Sequence, residues 1–291
     1  MSKEVKILVL GSSGAIGQAL TKELFKSGYQ VTGTYYENKP SNTLADYMYF
    51  NAGAKMIDED ILGVVEKSDL IINLMYSDRR DYLDKLFFDS PFEVALRAKE
   101  SNSRFINIDD LCYSINIPTS ISKTRNRFRE VIREKQLGIN ISSASVISGK
   151  NSVVKDISLL SEYKITPTLG DGRRKITPIH IVDFCTIIKR LIKSDIRKGV
   201  YDLKGGLSMT VRHLFNVVCK ANSRPEPFFF NIPEEYFVKY KGIINNIFGT
   251  KLTERVLTIL KAKESYTEKD LSEALNVKPL SLEARVKRRG L

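Results

Sequence analysis

The sequence predicts an α/β protein with a doubly wound parallel sheet, and three observations near its N-terminus carry this prediction. Residues 5–10 form a mostly aliphatic run, which is typical of a strand buried on both faces. A glycine-rich turn follows at residues 11–17, and residues 18–27 then place apolar side chains at helical spacing. Residues 29–35 provide a second strand-like segment. The order strand, glycine turn, helix and strand is that of the first unit of a doubly wound sheet.

The glycine turn has the spacing Gly-x-x-Gly-x-x-Gly, formed by Gly11, Gly14 and Gly17. Glycines permit a tight turn and the close approach of a pyrophosphate, and the N-terminus of the following helix offers unpaired N–H groups. The competing interpretation is that the glycines serve only the turn itself. The position of the motif between a first strand and a first helix favours a Rossmann-type dinucleotide site.

Length and composition describe an ordinary globular chain with one unusual property, its charge. The chain has 291 residues, of which 42% are hydrophobic, and a net charge of +12. Residues 1–100 hold 12 basic and 15 acidic side chains (−3), whereas residues 101–291 hold 34 and 19 (+15). The basic excess suits a phosphorylated ligand, a nucleic acid or an acidic partner, or it is simply a solvated surface.

Cysteine usage and hydropathy bear on location. The three cysteines, Cys112, Cys185 and Cys219, are odd in number and far apart, which favours a reducing, cytoplasmic location over a disulfide framework. Two histidines without ligand spacing give no indication of a metal site. The first apolar run is much shorter than the roughly 20 residues of a membrane-spanning helix, so we expect no membrane partner.

The glycine spacing resembles that of the extended and atypical short-chain dehydrogenase/reductases, in particular nucleotide-sugar epimerases, dehydratases and dTDP-4-dehydrorhamnose-reductase-like proteins. Further segments resemble this superfamily in order and spacing: residues 70–73 (LIIN), 104–108 (RFINI), 176–183 (ITPIHIVD), 199–203 (GVYDL), 209–211 (MTV) and 279–283 (PLSLE). The resemblance implies a Rossmann-type domain with a smaller C-terminal α/β substrate-type domain. We place the first in residues 1–150 and the second in residues 151–291, interleaved with the last Rossmann strands.

The resemblance also implies a bound NAD or NADP and a set of residues that hold it. These are Gly11, Ser13, Gly14, Ile16 and Gly17 in the loop, Tyr35 and Glu37 after the second strand, Asn73 at the end of the fourth, and Arg125. Glu37 is the expected ribose partner, whereas Lys39 suits a phosphate. Bulky residues 74–76 follow Asn73, where the family has small residues, and they would crowd the cofactor if they pointed inward.

The catalytic pattern of the family is not retained. Family members need a Tyr-x-x-x-Lys pair on one helix face and a Ser or Thr at the end of the fifth strand. The matching segment, residues 118–125, places Ile121 where the tyrosine belongs and Arg125 where the lysine belongs, while Asp109 and Asp110 replace the Ser or Thr. The candidates for a rearranged chemistry are Asp110, Tyr113 and Arg125. A carboxylate can act as an acid there if desolvation raises its pKa.

Three basic segments are candidate partner surfaces: residues 123–135, 173–198 and 285–289. Arg125, Arg129 and Arg133 recur every four residues and so share one helix face. They suit an acidic protein, an RNA or the rim of a homodimer, or a solvated face paired with Glu130 and Glu134. For residues 173–198 the resemblance also implies contact with the diphosphate of a nucleotide sugar.

The sequence therefore predicts an NAD(P)-binding, nucleotide-sugar-epimerase/reductase-like protein with degraded catalytic residues. Three alternatives stay open: an enzyme with rearranged chemistry, a non-catalytic regulatory or scaffolding subunit, and an RNA-associated protein.

Overall fold

The structure is a computed structural model that describes residues 4–76, 83–110, 120–149, 154–155, 157–158, 165–169, 171–233 and 266–291. The chain divides into two compact units, each assembled from discontinuous segments. The first comprises Met1–Ser143, Phe184–Leu203 and Tyr266–Val277, and the second comprises Ala144–Asp183, Lys204–Ser265 and Lys278–Leu291.

The strands of the described residues are, in chain order, β1 (Lys6–Leu10), β2 (Gln30–Tyr35), β3 (Asp46–Tyr49), β4 (Leu70–Asn73), β5 (Arg104–Asp110), β6 (Ile139–Ser143), β7 (Val146–Ile147), β8 (Ile165–Leu169), β9 (Lys175–Ile176), β10 (Ile179–His180), β11 (Gly199–Leu203), β12 (Met209–Thr210), β13 (Phe228–Ile232) and β14 (Lys269–Asp270). The helices are α1 (Ala15–Lys26), α2 (Glu59–Lys67), α3 (Ser90–Glu100), α4 (Ser120–Lys135), α5 (Ile181–Lys193), α6 (Val211–Ala221), α7 (Leu271–Ala274) and α8 (Leu282–Arg289), with a π-helical turn at Lys85–Asp89 before α3.

The first unit is built on a parallel sheet, which confirms the predicted fold class. Its strand order over the described residues is β14-β11-β6-β5-β4-β1-β2-β3, and every neighbouring pair is parallel. The chain adds β2 and β3 on one side of β1 and then β4 on the other side, so the strand order reverses between β1 and β4. At such a switch point the loops after adjacent strands diverge and leave a crevice at the carboxyl edge of the sheet. The glycine turn after β1 lies at this point.

The core of the first unit explains why its strands are apolar throughout. Leu8 and Leu10 of β1 and Ile71 of β4 are fully buried and pack in one cluster with Phe105 of β5 and Phe128 of α4. Strands that are covered by helices on both faces read as continuous hydrophobic runs rather than alternating ones. Val5, the predicted start of the buried run, is 36% exposed and lies one residue before β1.

The second unit contains three small sheets and ends in α8. β7 pairs with β10 and β8 with β13 in parallel, while β9 and β12 are antiparallel. The Nε2 atom of the buried His180 lies 3.0 Å from the carbonyl oxygen of Gly290, and Arg285 Nε donates to Asp183 Oδ2 at 3.0 Å. The segment 176–183 therefore fastens the C-terminal helix. We expected residues 285–289 to form a basic partner surface. Arg285 is not available for it, because it is paired with Asp183.

Within the described residues, no helix combines the length and the apolar character needed to cross a membrane.

Candidate functional site

Two of the three loop glycines are required by packing of the loop itself. Gly11 has φ of +78°, and a Cβ at this position would lie 2.9 Å from the carbonyl carbon and oxygen of Leu74. A Cβ on Gly17 would lie 2.3 Å from the carbonyl oxygen of Gly11. Both contacts are too short for any side chain, so these glycines let β1, β4 and α1 approach one another.

Gly14 differs from its two neighbours, because none of the residues that the structure describes fills the space beside it. Gly14 is exposed and has φ of −70°, which any residue adopts, and a Cβ would meet only the Gly11 carbonyl oxygen, at 3.5 Å. It is also the N-cap of α1 and supplies no side-chain acceptor to the first-turn N–H groups. An open space above uncapped helix N–H groups fits the pyrophosphate of a dinucleotide.

Hydroxyl groups fix the glycine loop to β2. The Gly11 N–H donates to Thr34 Oγ1 at 3.0 Å, and Ser12 Oγ donates to the Thr34 carbonyl oxygen at 2.9 Å. A Cβ on Gly33 would lie 2.4 Å from Ser12 Oγ, so Gly33 makes room for the Ser12 side chain. The role of Ser12, Gly33 and Thr34 in fixing the loop cannot be predicted from the sequence, because it depends on hydrogen bonds that form only when β1 and β2 pair.

The predicted loop residues Ser13 and Ile16 lie beside Gly14. The Ser13 carbonyl oxygen accepts a hydrogen bond from Gln18 Nε2 at 2.7 Å, and Ile16 is half-buried in the first turn of α1. Their contact with a cofactor stays a prediction.

Tyrosines cluster at the carboxyl ends of β2 and β3. The rings of Tyr35 and Tyr49 meet edge to face, and those of Tyr36 and Tyr49 stack, each pair with centroids 6.0 Å apart. Tyr49 is 52% exposed, and Glu37 is exposed just after β2. The carboxylate predicted to meet the ribose thus lies on the same sheet edge as the glycine loop.

A row of three buried asparagines crosses β4, β5 and β6 at one register level. Asn73 Nδ2 donates to Asn107 Oδ1 at 2.7 Å, and Asn107 Nδ2 donates to Asn140 Oδ1 at 2.7 Å. Asn107 Nδ2 also reaches Asp109 Oδ2 at 2.9 Å. Asn73, predicted as a cofactor residue, is 5% exposed, and its Oδ1 accepts the N–H of Met75. It therefore shapes the chain after β4.

Asp109 and Arg125 form a buried ion pair at the position of the missing catalytic residues. Arg125 Nε lies 3.8 Å from Asp109 Oδ1, and the two side chains are 3% and 8% exposed. The Arg125 guanidinium stacks over Phe87, 4.2 Å from the ring centroid, and lies 5.5 Å from that of Tyr76. Burial raises the pKa of the Asp109 carboxyl against the opposing attraction of Arg125 and Arg129.

Ile121, which the resemblance predicts at the position of the family's tyrosine, lies in an apolar cluster. It is 6% exposed and packs with Phe87, and Tyr76 packs against this pair. Of the three bulky residues after β4, Met75 is buried in the main core, Tyr76 joins the Ile121 cluster, and Leu74 is half-buried. An isoleucine in an apolar cluster holds no exchangeable proton, so this position cannot perform the family's proton transfer.

The other two catalytic candidates are placed differently. Asp110 is half-buried at the last position of β5, opposite Ser143 of β6. Tyr113 lies outside the described residues. Burial raises the pKa of Asp109, the residue before the predicted candidate. In a strand, successive side chains point to opposite faces, so a shift of one residue changes the partner completely.

Two of the three arginines of the stripe in residues 123–135 turn toward the sheet, and Arg133 is exposed, so a partner surface on this segment stays a prediction. Arg129 is 13% exposed and, like Arg125, acts on a sheet carboxyl: it opposes the burial that raises the pKa of Asp202. Arg133 pairs with Glu268 and with Glu130, the latter at 3.0 Å. Helical spacing indicates that three residues share a face, but it does not indicate whether that face meets solvent or sheet.

Comparison with known proteins agrees with this geometry. Residues 7–104 match the model of the NAD dependent epimerase/dehydratase family. The UDP-glucose 4-epimerase of Thermotoga maritima, solved with UDP-glucose, superposes with a TM-score of 0.69 at 15% identity, over 96% of this chain and 95% of that one. The dTDP-glucose 4,6-dehydratase of Bacillus anthracis, solved with NAD, superposes with a TM-score of 0.71 at 13% identity, over 97% and 96%.

A curated relative by sequence comes from Arabidopsis thaliana: NADH dehydrogenase [ubiquinone] 1 alpha subcomplex subunit 9, mitochondrial. It is 24% identical over 227 residues, which are 72% of this chain and 56% of that protein. The chain thus spans about half the length of this relative. The resemblance to NAD dependent epimerases and dehydratases is confirmed in the sequence of residues 7–104, and the fold of the chain is that of solved epimerases and dehydratases.

Proposed function

We propose that the protein binds NAD or NADP at the glycine loop and holds it without the proton transfer of the related enzymes, as a non-catalytic subunit or scaffold. The observation that carries this proposal is the buried apolar cluster around Ile121, which occupies the place of the family's proton donor. A dinucleotide site and a missing proton donor together describe a binding protein.

The loop residues support the binding half of the proposal. Gly14 leaves space above the first-turn N–H groups of α1, which suit the pyrophosphate, and Glu37 offers a carboxylate for a ribose hydroxyl. A bound nicotinamide supplies hydride chemistry to enzymes of the family, and Ile121 offers no proton to accompany it. Two findings support NAD as the ligand. The solved dehydratase contains NAD, and the matched family is described as NAD dependent.

The Asp109–Arg125 pair supports the non-catalytic half. The family's lysine must reach a cofactor ribose, whereas the Arg125 guanidinium is buried between a carboxyl and two aromatic rings. Releasing it would leave Asp109 buried without its partner, which is strongly unfavourable. We therefore propose that Arg125 is a structural cation. This proposal replaces the prediction that Arg125 takes part in catalysis.

The subunit role rests on the Arabidopsis relative, whose name places it in an NADH dehydrogenase. We propose a protein partner for this chain on that basis, ahead of RNA or a homodimer. A nucleotide sugar remains the proposed second ligand only for the enzyme alternative, in which Asp110 would act as the acid.

The proposal predicts ligand-induced stabilisation that depends on Gly14. Titration with NAD, NADP and their reduced forms should raise the unfolding temperature, because a ligand at 100 times its Kd stabilises the native state by about 2.7 kcal/mol. Gly14→Val should abolish the shift while costing under about 1 kcal/mol of stability, since the fold has room for the side chain. Thermal unfolding with and without each nucleotide measures both.

Gly63→Val is the matched control, since Gly63 lies in α2 and a Cβ there would have no neighbouring atom within 4 Å. This variant should keep the full nucleotide shift. Turnover of a sugar nucleotide, followed by absorbance of the reduced nicotinamide, would instead establish the enzyme alternative. Absence of a shift with all four nucleotides would reject the binding site.

A further inference from the structure

The outward surface of α1 and α5 carries a concentration of positive charge that the dinucleotide site does not use. We call this surface the basic face and define it by Lys22, Lys26, Arg190, Lys193, Arg197 and Lys198, all exposed. The first two lie on α1, the next two on α5, and the last two in the segment 194–198 after α5. It lies within the first unit and accounts for much of the basic segment 173–198.

Direct contacts hold the two helices side by side. Lys189 Nζ of α5 donates to Glu23 Oε2 of α1 at 3.0 Å, and this bond lowers the pKa of Glu23. Arg104, the first residue of β5, donates to the carbonyl oxygens of Leu191 and Ile196 at 3.2 and 2.8 Å, which fixes the end of α5. The spacing of the charges is therefore a fixed property of the first unit.

Acidic side chains hardly neutralise the basic face. Glu23 and Asp195 are the carboxylates among the surface residues of α1, α5 and the segment 194–198, against seven basic residues when Lys189 is included. The difference, seven minus two, is a net charge of +5. Phe25 is 48% exposed on α1, three residues after Lys22 and so next to it on the helix surface. One protruding aromatic ring therefore borders the basic face at Lys22.

Residue types distinguish among anionic partners. Four of the six defining residues are lysines, a type that is depleted in protein–protein interfaces. Single-stranded nucleic acids are held by several aromatic rings along a groove, whereas two neighbouring helices here offer one ring. Lysines around an exposed aromatic residue are typical of a surface that rests on acidic lipid headgroups.

We propose that the basic face docks the protein on an anionic lipid bilayer, with Phe25 entering the headgroup region. This role is independent of dinucleotide binding and revises the expectation of no membrane partner. Each basic residue near an anionic surface strengthens binding about fivefold, and the attraction falls off within a Debye length of about 8 Å at physiological salt.

The test is co-sedimentation of the full chain with phosphatidylcholine vesicles that contain or lack phosphatidylglycerol. The wild type should bind only the phosphatidylglycerol vesicles, and added salt should release it. Combined Lys22→Gln, Lys26→Gln, Arg190→Gln and Lys193→Gln substitutions should lower the vesicle partition by more than about 100-fold at low salt, given the fivefold effect of each charge. Phe25→Ala should weaken binding on its own.

A variant of equal net charge is the control. Lys55→Gln, Lys67→Gln, Lys135→Gln and Lys287→Gln remove four exposed charges that are not part of the basic face, and this protein should bind nearly as the wild type does. Phe228→Ala, at an exposed ring of the second unit, is the control for Phe25. Equal losses in the two four-site variants, or binding to homopolymer RNA without binding to anionic vesicles, would overturn the proposal.

Discussion

Arg125 illustrates how a single residue can keep the charge of a family position and lose its chemistry. Its guanidinium is planar and stacks over Phe87 while facing the Asp109 carboxyl, a geometry that an ammonium group cannot reproduce. Restoring the family's lysine therefore does not restore a catalytic residue. It removes the stacking of the guanidinium on Phe87.

Arg125→Lys should destabilise the protein in spite of matching the family. A desolvated stack of guanidinium on an aromatic ring contributes about 2 kcal/mol, and lysine loses most of it. Denaturant unfolding of the variant measures this loss as a lower midpoint with an unchanged slope.

Arg127→Lys is the matched comparison, because Arg127 stacks over Phe88 at 3.9 Å but is exposed. An exposed pair contributes about 0.5–1 kcal/mol, so this loss should be smaller. Equal stabilities of the wild type and Arg125→Lys would show that the stack contributes nothing.

The asparagine row can be predicted only in part from the sequence. Asn73, Asn107 and Asn140 each stand in a short aliphatic run, and a polar residue in a buried strand is a recognisable signal. Sequence analysis selected only Asn73. Joining the three required the register of β4, β5 and β6, which brings their side chains within 2.7 Å of one another.

Among the elements, α8 depends on a motif far from it in sequence. The Val182 N–H donates to His180 Nδ1 at 3.2 Å, so the proton of the neutral imidazole lies on Nε2 and is donated to the Gly290 carbonyl oxygen. Burial lowers the pKa of His180 below its ordinary value of 6.5. Protonation of His180 would place a second N–H at Nδ1 and remove the acceptor of the Val182 N–H.

Acid should weaken the protein through His180. The folded pKa lies below the unfolded value, so the unfolded chain binds more protons as pH falls below 6.5, and stability is lost there by up to about 1.4 kcal/mol per pH unit. The free energy of unfolding, measured by denaturant between pH 7 and pH 5, should decline for the wild type. It should decline less for His180→Gln.

The chain has one other histidine, His213, whose Nε2 lies 2.8 Å from Glu283 Oε1 at an exposed position. His213→Gln should retain the acid-induced loss that comes from His180. An identical slope in His180→Gln and the wild type would assign the loss to other groups.

The sequence does not predict which face of α4 packs on the sheet, and the reason is physical. Its arginines follow helical spacing, and a charged face is usually the solvated one. Carboxyls on β5 and β11, which are distant from α4 in sequence, reverse that expectation by drawing Arg125 and Arg129 toward the sheet.

For the molecule as a whole, the units interleave along the chain. β11 and β14 return to the sheet of the first unit from positions 199–203 and 269–270. Parallel pairing permits this, because each strand enters the sheet through a crossover connection that can be long. Each unit therefore draws on segments from both sides of residue 150.

The sequence alone determined the fold class, the glycine loop and the absence of the family's catalytic pair, because each depends on residues close together in the chain. Only the tertiary structure decided that Gly14 leaves open space while Gly11 and Gly17 do not, and that Arg125 pairs with Asp109. It also set the neighbouring α1 and α5 side by side as one basic face. These properties depend on strand register and helix orientation, which are fixed by contacts between residues far apart in sequence.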